Sequence, residues 1–140
     1  MMNTNILQWN IRGFFSQRPY LQHAIDEYRP NIICLQETHL RSYNAPNLSQ
    51  FVCTARRERE DRRGGVCIFA HKSLTCIPLI IGTNIEAAAI STFTEGNALT
   101  ICSLYIPPDH LNAIIKTQLI DLLKAIPSPR IICLDSNAHH

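Results

Sequence analysis

Four things are missing from this 140-residue sequence, and each absence narrows what it can be. No window approaches the roughly 18 consecutive apolar residues of a membrane-spanning helix, so no membrane span is expected. The opening MMNTNILQWN has no basic region followed by a continuous apolar stretch, so no secretory leader is read and the protein is expected to be intracellular. Six cysteines, at 34, 53, 67, 76, 102 and 133, show no CxxC or CxxxC spacing, which argues against a zinc site. Cys34, Cys67, Cys102 and Cys133 sit inside apolar runs, where a reduced thiol acts as a small buried hydrophobe. Neither sign of charge dominates: 13 Lys and Arg against 11 acidic residues give a net charge of +2, too weak to identify a nucleic-acid binder.

What is present is a core. With 46% hydrophobic and 17% charged residues, the chain reads as one globular unit and not a disordered tail. Asn5 to Trp9 is a short apolar strand ending at Asn10, with Arg12 and Gly13 behind it. Ser16 is a candidate N-cap, Tyr20, Leu21, Ala24, Ile25 and Tyr28 fall at helical spacing, and Pro30 closes the helix. Asn31 to Gln36 (NIICLQ) has the length of a buried strand, so a right-handed βαβ unit is the economical reading. Residues 37–50 are polar and loop-like, apart from a possible short helical turn. Phe51 to Ala55 is a further strand candidate, and Arg56 to Gly65 reads as a charged turn. Gly65 to Ala70, Leu74 to Leu79, Ile85 to Phe93 and Ala98 to Tyr105 are strands with short connections, which favour antiparallel hairpins and a mixed sheet.

Asp109 can cap a second helix, in which Leu111, Ile114, Ile115, Leu119, Leu122, Leu123 and Ile126 repeat at spacings of three and four and should face a sheet. After Pro127 and Pro129, Arg130 to Leu134 (RIICL) repeats the pattern of residues 31–36, too short to establish an internal repeat.

Several strands finish on a polar residue: Asn10, Glu37, Tyr105, then Asp135 with Asn137. Groups at matching strand ends can meet across one rim of a sheet. Two carboxylates and two amides there make an oxygen-rich cluster suited to Mg²⁺ or Mn²⁺. Each residue also has a plain reading. Asn10 can satisfy a turn, Glu37 can open a solvated loop, Tyr105 can be a core aromatic, and Asp135 with Asn137 can form an Asx turn or helix cap.

Taken together, ILQWNIRG (6–13), PNIICLQETHL (30–40), RRGGVCIFA (62–70), ICSLYIPP (101–108) and RIICLDSNAHH (130–140) resemble the endonuclease/exonuclease/phosphatase superfamily, especially the apurinic-like endonuclease domain of non-LTR retrotransposons. The resemblance implies an α/β fold, a two-layered sandwich of mixed, largely antiparallel sheets flanked by helices, with residues 1–140 forming the amino-terminal portion of the domain. It implies Glu37 as the principal Mg²⁺ ligand (Mn²⁺ as alternative), helped by Asn10. Tyr105 and Asn137 would contact the phosphate, and Asp135 would activate water. The implied reaction nicks DNA to leave a 3′ hydroxyl for a linked reverse-transcriptase domain, with the nucleus or the cytoplasm as the place of work. Leu134 and Ser136 depart from the glycine and phenylalanine usual beside the aspartate, and the family's late aspartate–histidine pair is not among these residues, so an inactive fragment is also an expectation.

Arg12, Arg56, Arg57, Arg59, Arg62 and Arg63 are candidates for DNA phosphate contact, partly offset by Glu58, Glu60 and Asp61. The competing readings are a phosphatase or phosphodiesterase of the same superfamily, a non-catalytic DNA-binding remnant, and an unrelated α/β binding module.

Overall fold

The computed structural model describes residues 4–59, 63–82, 84–106 and 113–135. The chain runs β1 (Ile6–Asn10), α1 (Phe14–Tyr28), β2 (Ile32–Gln36), β3 (Phe51–Arg57), β4 (Val66–His71), β5 (Cys76–Leu79), β6 (Glu86–Thr94), β7 (Asn97–Tyr105), α2 (Ala113–Ala125) and β8 (Arg130–Asp135). The strands form two sheets, ordered β1-β2-β4-β3 and β5-β6-β7-β8, where the strand spacing alone predicts one mixed sheet. Each sheet holds one parallel pair, β1 with β2 and β7 with β8, and antiparallel pairs otherwise. A helix bridges each parallel pair, as the chain reversal requires.

Alternation along the strands sorts the side chains into three apolar layers. Ile33 and Leu35 of β2 and Cys67 and Phe69 of β4 face α1, meeting Phe14, Leu21 and Ile25. Their neighbours Ile32, Cys34 and Ile68 face the other way, against Ile90 and Ile101 of the second sheet. Ala87, Ala89, Cys102 and Leu104 then face Leu122 and Ile126 of α2. The sheets therefore pack face to face, with one helix outside each. This architecture is the sandwich that the motif resemblance implies.

Local chemistry shifts several boundaries. Gly13, not Ser16, stands at the N-cap of α1, without a side-chain cap; Ser16 lies in the first turn and donates to the Gly13 carbonyl at 3.2 Å. The helix ends with Arg29 in the left-handed conformation, its N–H on the Ile25 carbonyl at 2.9 Å, and Pro30 follows. β3 continues through Arg57, so Arg56 and Arg57 belong to a strand and not to the charged turn. Residues 37–50 contain no helix. In α2 the apolar stripe is narrower than its spacing predicts. Leu122 and Ile126 are buried and Ile115 and Leu119 pack beside them, while Ile114 (66%) and Leu123 (38%) are exposed. Asp109 and Leu111 lie outside the described residues. Among those described, no helix is long and apolar enough to cross a membrane.

Candidate active site

The inward-facing parity of each strand decides what its end presents. In β1 and β2 the even-numbered residues face the second sheet; in β7 and β8 the odd-numbered ones face the first. Asn10 and Asp135 are thus the last inward residues of their strands, and Tyr105 sits beside Asp135 in the β7–β8 register. The Asn10 amide nitrogen donates to both the Glu37 and the Asp135 carboxylates, joining groups 125 residues apart in sequence. The arrangement fixes the amide's orientation, because two acceptors require the NH₂ and not the carbonyl to face them.

Glu37 is held by the backbone around it. Gly13 N–H donates to its carbonyl at 2.9 Å, Phe14 N–H to the Thr38 carbonyl at 2.8 Å, and Thr38 and His39 donate to Gly65 and Gly64 at 3.1 and 2.9 Å. The segment is gripped between the β1–α1 loop and the diglycine turn. Glycine is required there: Gly65 has φ +91, and a Cβ on it would sit 2.7 Å from Thr38 Oγ1. Arg12, Glu37 and His39 all adopt positive φ (50, 50 and 56). Such left-handed residues cost about 1–3 kcal/mol each and gather where the surroundings impose them, commonly at functional sites.

Tyr105 is 6% exposed and packs with Val66 and Ala88. It lines a cleft of about 310 Å³ with Arg57, Arg59, Glu86 and Ile115. Asn137 lies outside the described residues.

The arginines divide by what holds them. Arg56 donates to the carbonyls of Asn44 and Arg41, each at 2.7 Å, and pairs with Glu58, so it ties the 41–44 loop to β3. Arg57 donates to the Ile85 carbonyl at 2.8 Å, and Arg59 lies 3.7 Å from Glu86. Arg12 is exposed near the Asn10 end of β1 and Arg63 is exposed beside the diglycine turn; Arg62 lies outside the described residues.

The fold also shows a polar element that the strand patterns do not announce. Gln8, Gln36 and Ser103 form a hydrogen-bonded tie between the sheets directly below the site. The signal for it is present: each is a polar residue inside an apolar strand, and Gln36 and Ser103 are fully buried.

Among the described residues no group of three or more His, Cys, Asp or Glu gathers around one point. The donor set nevertheless fits a hard divalent cation. Among the described residues Asn10 Oδ1 is buried with no hydrogen-bond partner, beside two carboxylates that repel each other unless a positive charge is shared between them. Mg²⁺ needs only one or two carboxylates, because it keeps several of its waters.

Comparisons with known proteins bear on the fold and the family. A Drosophila melanogaster protein described as a probable RNA-directed DNA polymerase from transposon X-element is 26% identical over the whole chain, which spans 16% of that protein's length. The endonuclease domain of TRAS1, a telomere-specific non-LTR retrotransposon, superposes with a TM-score of 0.74 at 17% identity, over 99% of this chain and 61% of that one. The human Nocturnin catalytic domain gives 0.73 at 20% identity (97% and 64%), and the Xenopus laevis APE2 catalytic domain 0.68 at 22% (98% and 59%). Residues 7–140 match the endonuclease/exonuclease/phosphatase family, and the chain belongs to it.

Proposed function

We propose that this site is that of a metal-dependent endonuclease, which hydrolyses a DNA phosphodiester bond and leaves a 3′ hydroxyl for a linked reverse transcriptase to extend. The observation that carries the reading is the convergence of Glu37 and Asp135 on the Asn10 amide. The transposon polymerase among its relatives directs it toward DNA; the near-equal TM-scores of TRAS1 and Nocturnin by themselves favour no substrate.

Glu37 and Asn10 Oδ1 would hold Mg²⁺ or Mn²⁺, which when bound polarises the phosphate and offsets developing negative charge. Asp135 accepts a proton from water at a carboxylate oxygen as that water attacks phosphorus. The bond to the 3′ oxygen breaks in line, and the leaving oxygen takes a proton from solvent. The Tyr105 hydroxyl and the Asn137 amide donate to phosphate oxygens. Arg12, Arg62 and Arg63 contact flanking phosphates, whereas Arg56, Arg57 and Arg59 hold the end of β3 in place. Cleavage of target DNA would take place in the nucleus.

The test is nicking of supercoiled plasmid in Mg²⁺, using the 140-residue chain and a version extended to any complete downstream domain, each beside its Glu37→Gln variant. Glu37-dependent nicks that a polymerase extends support the reading. An extended form that leaves plasmid intact contradicts it and points to another phosphoester substrate or a remnant that only binds DNA.

A further inference from the structure

The sheets meet across apolar side chains, and apolar contact is non-directional. Ile32, Cys34, Ile68, Ile90 and Ile101 hold the sheets together, but such contacts permit small slides of one face over the other. The site cannot tolerate slides, because Asn10 and Glu37 come from one sheet and Tyr105 and Asp135 from the other. Something directional is needed at this rim. Gln36 Nε2 donates to Ser103 Oγ at 3.0 Å and to the Cys133 carbonyl at 3.4 Å, and its Oε1 accepts from Gln8 Nε2 at 2.6 Å. Ser103 Oγ in turn donates to the Leu35 carbonyl at 3.0 Å. Gln36 and Ser103 are both 0% exposed.

The placement is systematic. Gln8 is two residues before Asn10, Ser103 two before Tyr105, Cys133 two before Asp135, and Gln36 immediately before Glu37. Each of the four strands that delivers a site residue therefore gives one member to a single tie, buried at Gln36 and Ser103, just beneath the site. A buried amide with its donors and acceptor engaged fixes a geometry that burial of methyl groups leaves loose, because hydrogen bonds weaken steeply when their distance or angle is wrong.

We infer that Gln36 is a positioning residue that sets the offset between the two sheets, and so brings the Asn10–Glu37 half of the site into register with the Tyr105–Asp135 half. The role rests on the metal-binding reading of that site, but its structural consequence is measurable without it.

The test uses the ¹⁵N-labelled 140-residue chain, with Gln36→Met and Ser103→Ala as the tie-breaking variants. Met keeps the volume of Gln36 and removes its hydrogen bonds; Ser103 keeps its bond to Leu35, and the exposed Gln8 amide turns to water. Ile90→Val is the control, because it trims the same inter-sheet layer without touching the tie. Two quantities are read: the Asn10 side-chain amide resonances, and Mn²⁺ affinity by water-proton relaxation. Both tie-breaking variants are expected to move the Asn10 resonances, and Gln36→Met to weaken Mn²⁺ binding about ten-fold, in the range found when supports of metal ligands are removed. Ile90→Val is expected to lower Tm and leave both readings in place.

Unmoved Asn10 resonances in the tie-breaking variants, or equal changes in Ile90→Val, would overturn the inference. A wild-type chain that binds no Mn²⁺ counts against the metal reading alone, and the Asn10 resonances then decide the positioning role. If Gln36→Met does not fold, Ser103→Ala decides it.

Discussion

NIICLQ and RIICLD are nearly the same text, yet the first is β2 and the second is β8, and their fates differ. Residues 32–36 are buried throughout, because β2 lies between β1 and β4 and has apolar layers on both faces. β8 pairs with β7 on one side and is an edge of its sheet among the described residues, so Ile131 and Leu134 stand 41% and 44% exposed. An apolar strand pattern states what can be buried; neighbours decide whether it is. The same contrast runs into the site. Glu37 is gripped on both sides by backbone hydrogen bonds, whereas Asp135 ends a one-sided strand, with Ile106 N–H on its carbonyl at 2.9 Å.

The largest expected effects are on cleavage. Asp135→Asn keeps the shape of the side chain and deletes the proton acceptor; turnover of an active form should fall on the order of 1,000-fold with little change in metal affinity. Glu37→Gln should act the other way, weakening cleavage mainly through metal binding, so that raising Mg²⁺ recovers part of the rate. A mutant pair with identical Mg²⁺ dependence would erase this distinction between the two carboxylates.

Next is the packing contrast itself. Leu35→Ala in β2 should cost about 2–5 kcal/mol in urea unfolding, as full truncations in closed cores do. Leu134→Ala, at the equivalent place in β8, should cost under about 1 kcal/mol, because the side chain is already partly in water. Equal losses would mean that Leu134 is covered in solution.

The smallest expected effect is alkaline. Burial pushes the Cys67 thiol well above its ordinary value of 9.0 and Cys102 up to about 12. A hydrogen bond with Cys133, together with burial, raises Cys34, and the same contact lowers Cys133. For the raised thiols the folded state keeps protons that the unfolded chain releases, so stability is full below pH 9 and falls as pH rises beyond it. Cys133 has the opposite sign and offsets part of the loss. Urea midpoints should therefore decline from pH 8.5 to 9.5, by a factor of about three in the folding constant for a single thiol, and decline less in Cys102→Ala. A flat profile would show that these thiols titrate as in the unfolded chain.

Much of this was legible in the sequence, for identifiable reasons. Short apolar runs bounded by polar turns located every strand, and the polar residue at the end of each run marked Asn10, Glu37, Tyr105 and Asp135. The partition into two sheets was not legible from spacing, because connection length says which strands can be neighbours and not where one sheet stops. Ser16 looked like a cap because the preferred cap chemistry is common, but the turn needed a positive φ and Gly13 supplied it. The arginines read as one basic patch; only the fold shows that Arg56 is spent on the Asn44 and Arg41 carbonyls while Arg12 points to solvent. Gln36 was read as strand text, and its role depends on which residue the opposite sheet places against it.

If Asn10, Glu37 and Asp135 act as one unit assembled from two sheets, the direct test is a double-mutant cycle across the sheets, on Asn10→Ala and Asp135→Asn, read through plasmid-nicking rates. Groups that act together lose little more when both are removed than when the more damaging one is removed alone. The double variant should nick about as slowly as the worse single variant. Losses that multiply in full would show two independent residues, and would contradict the shared site.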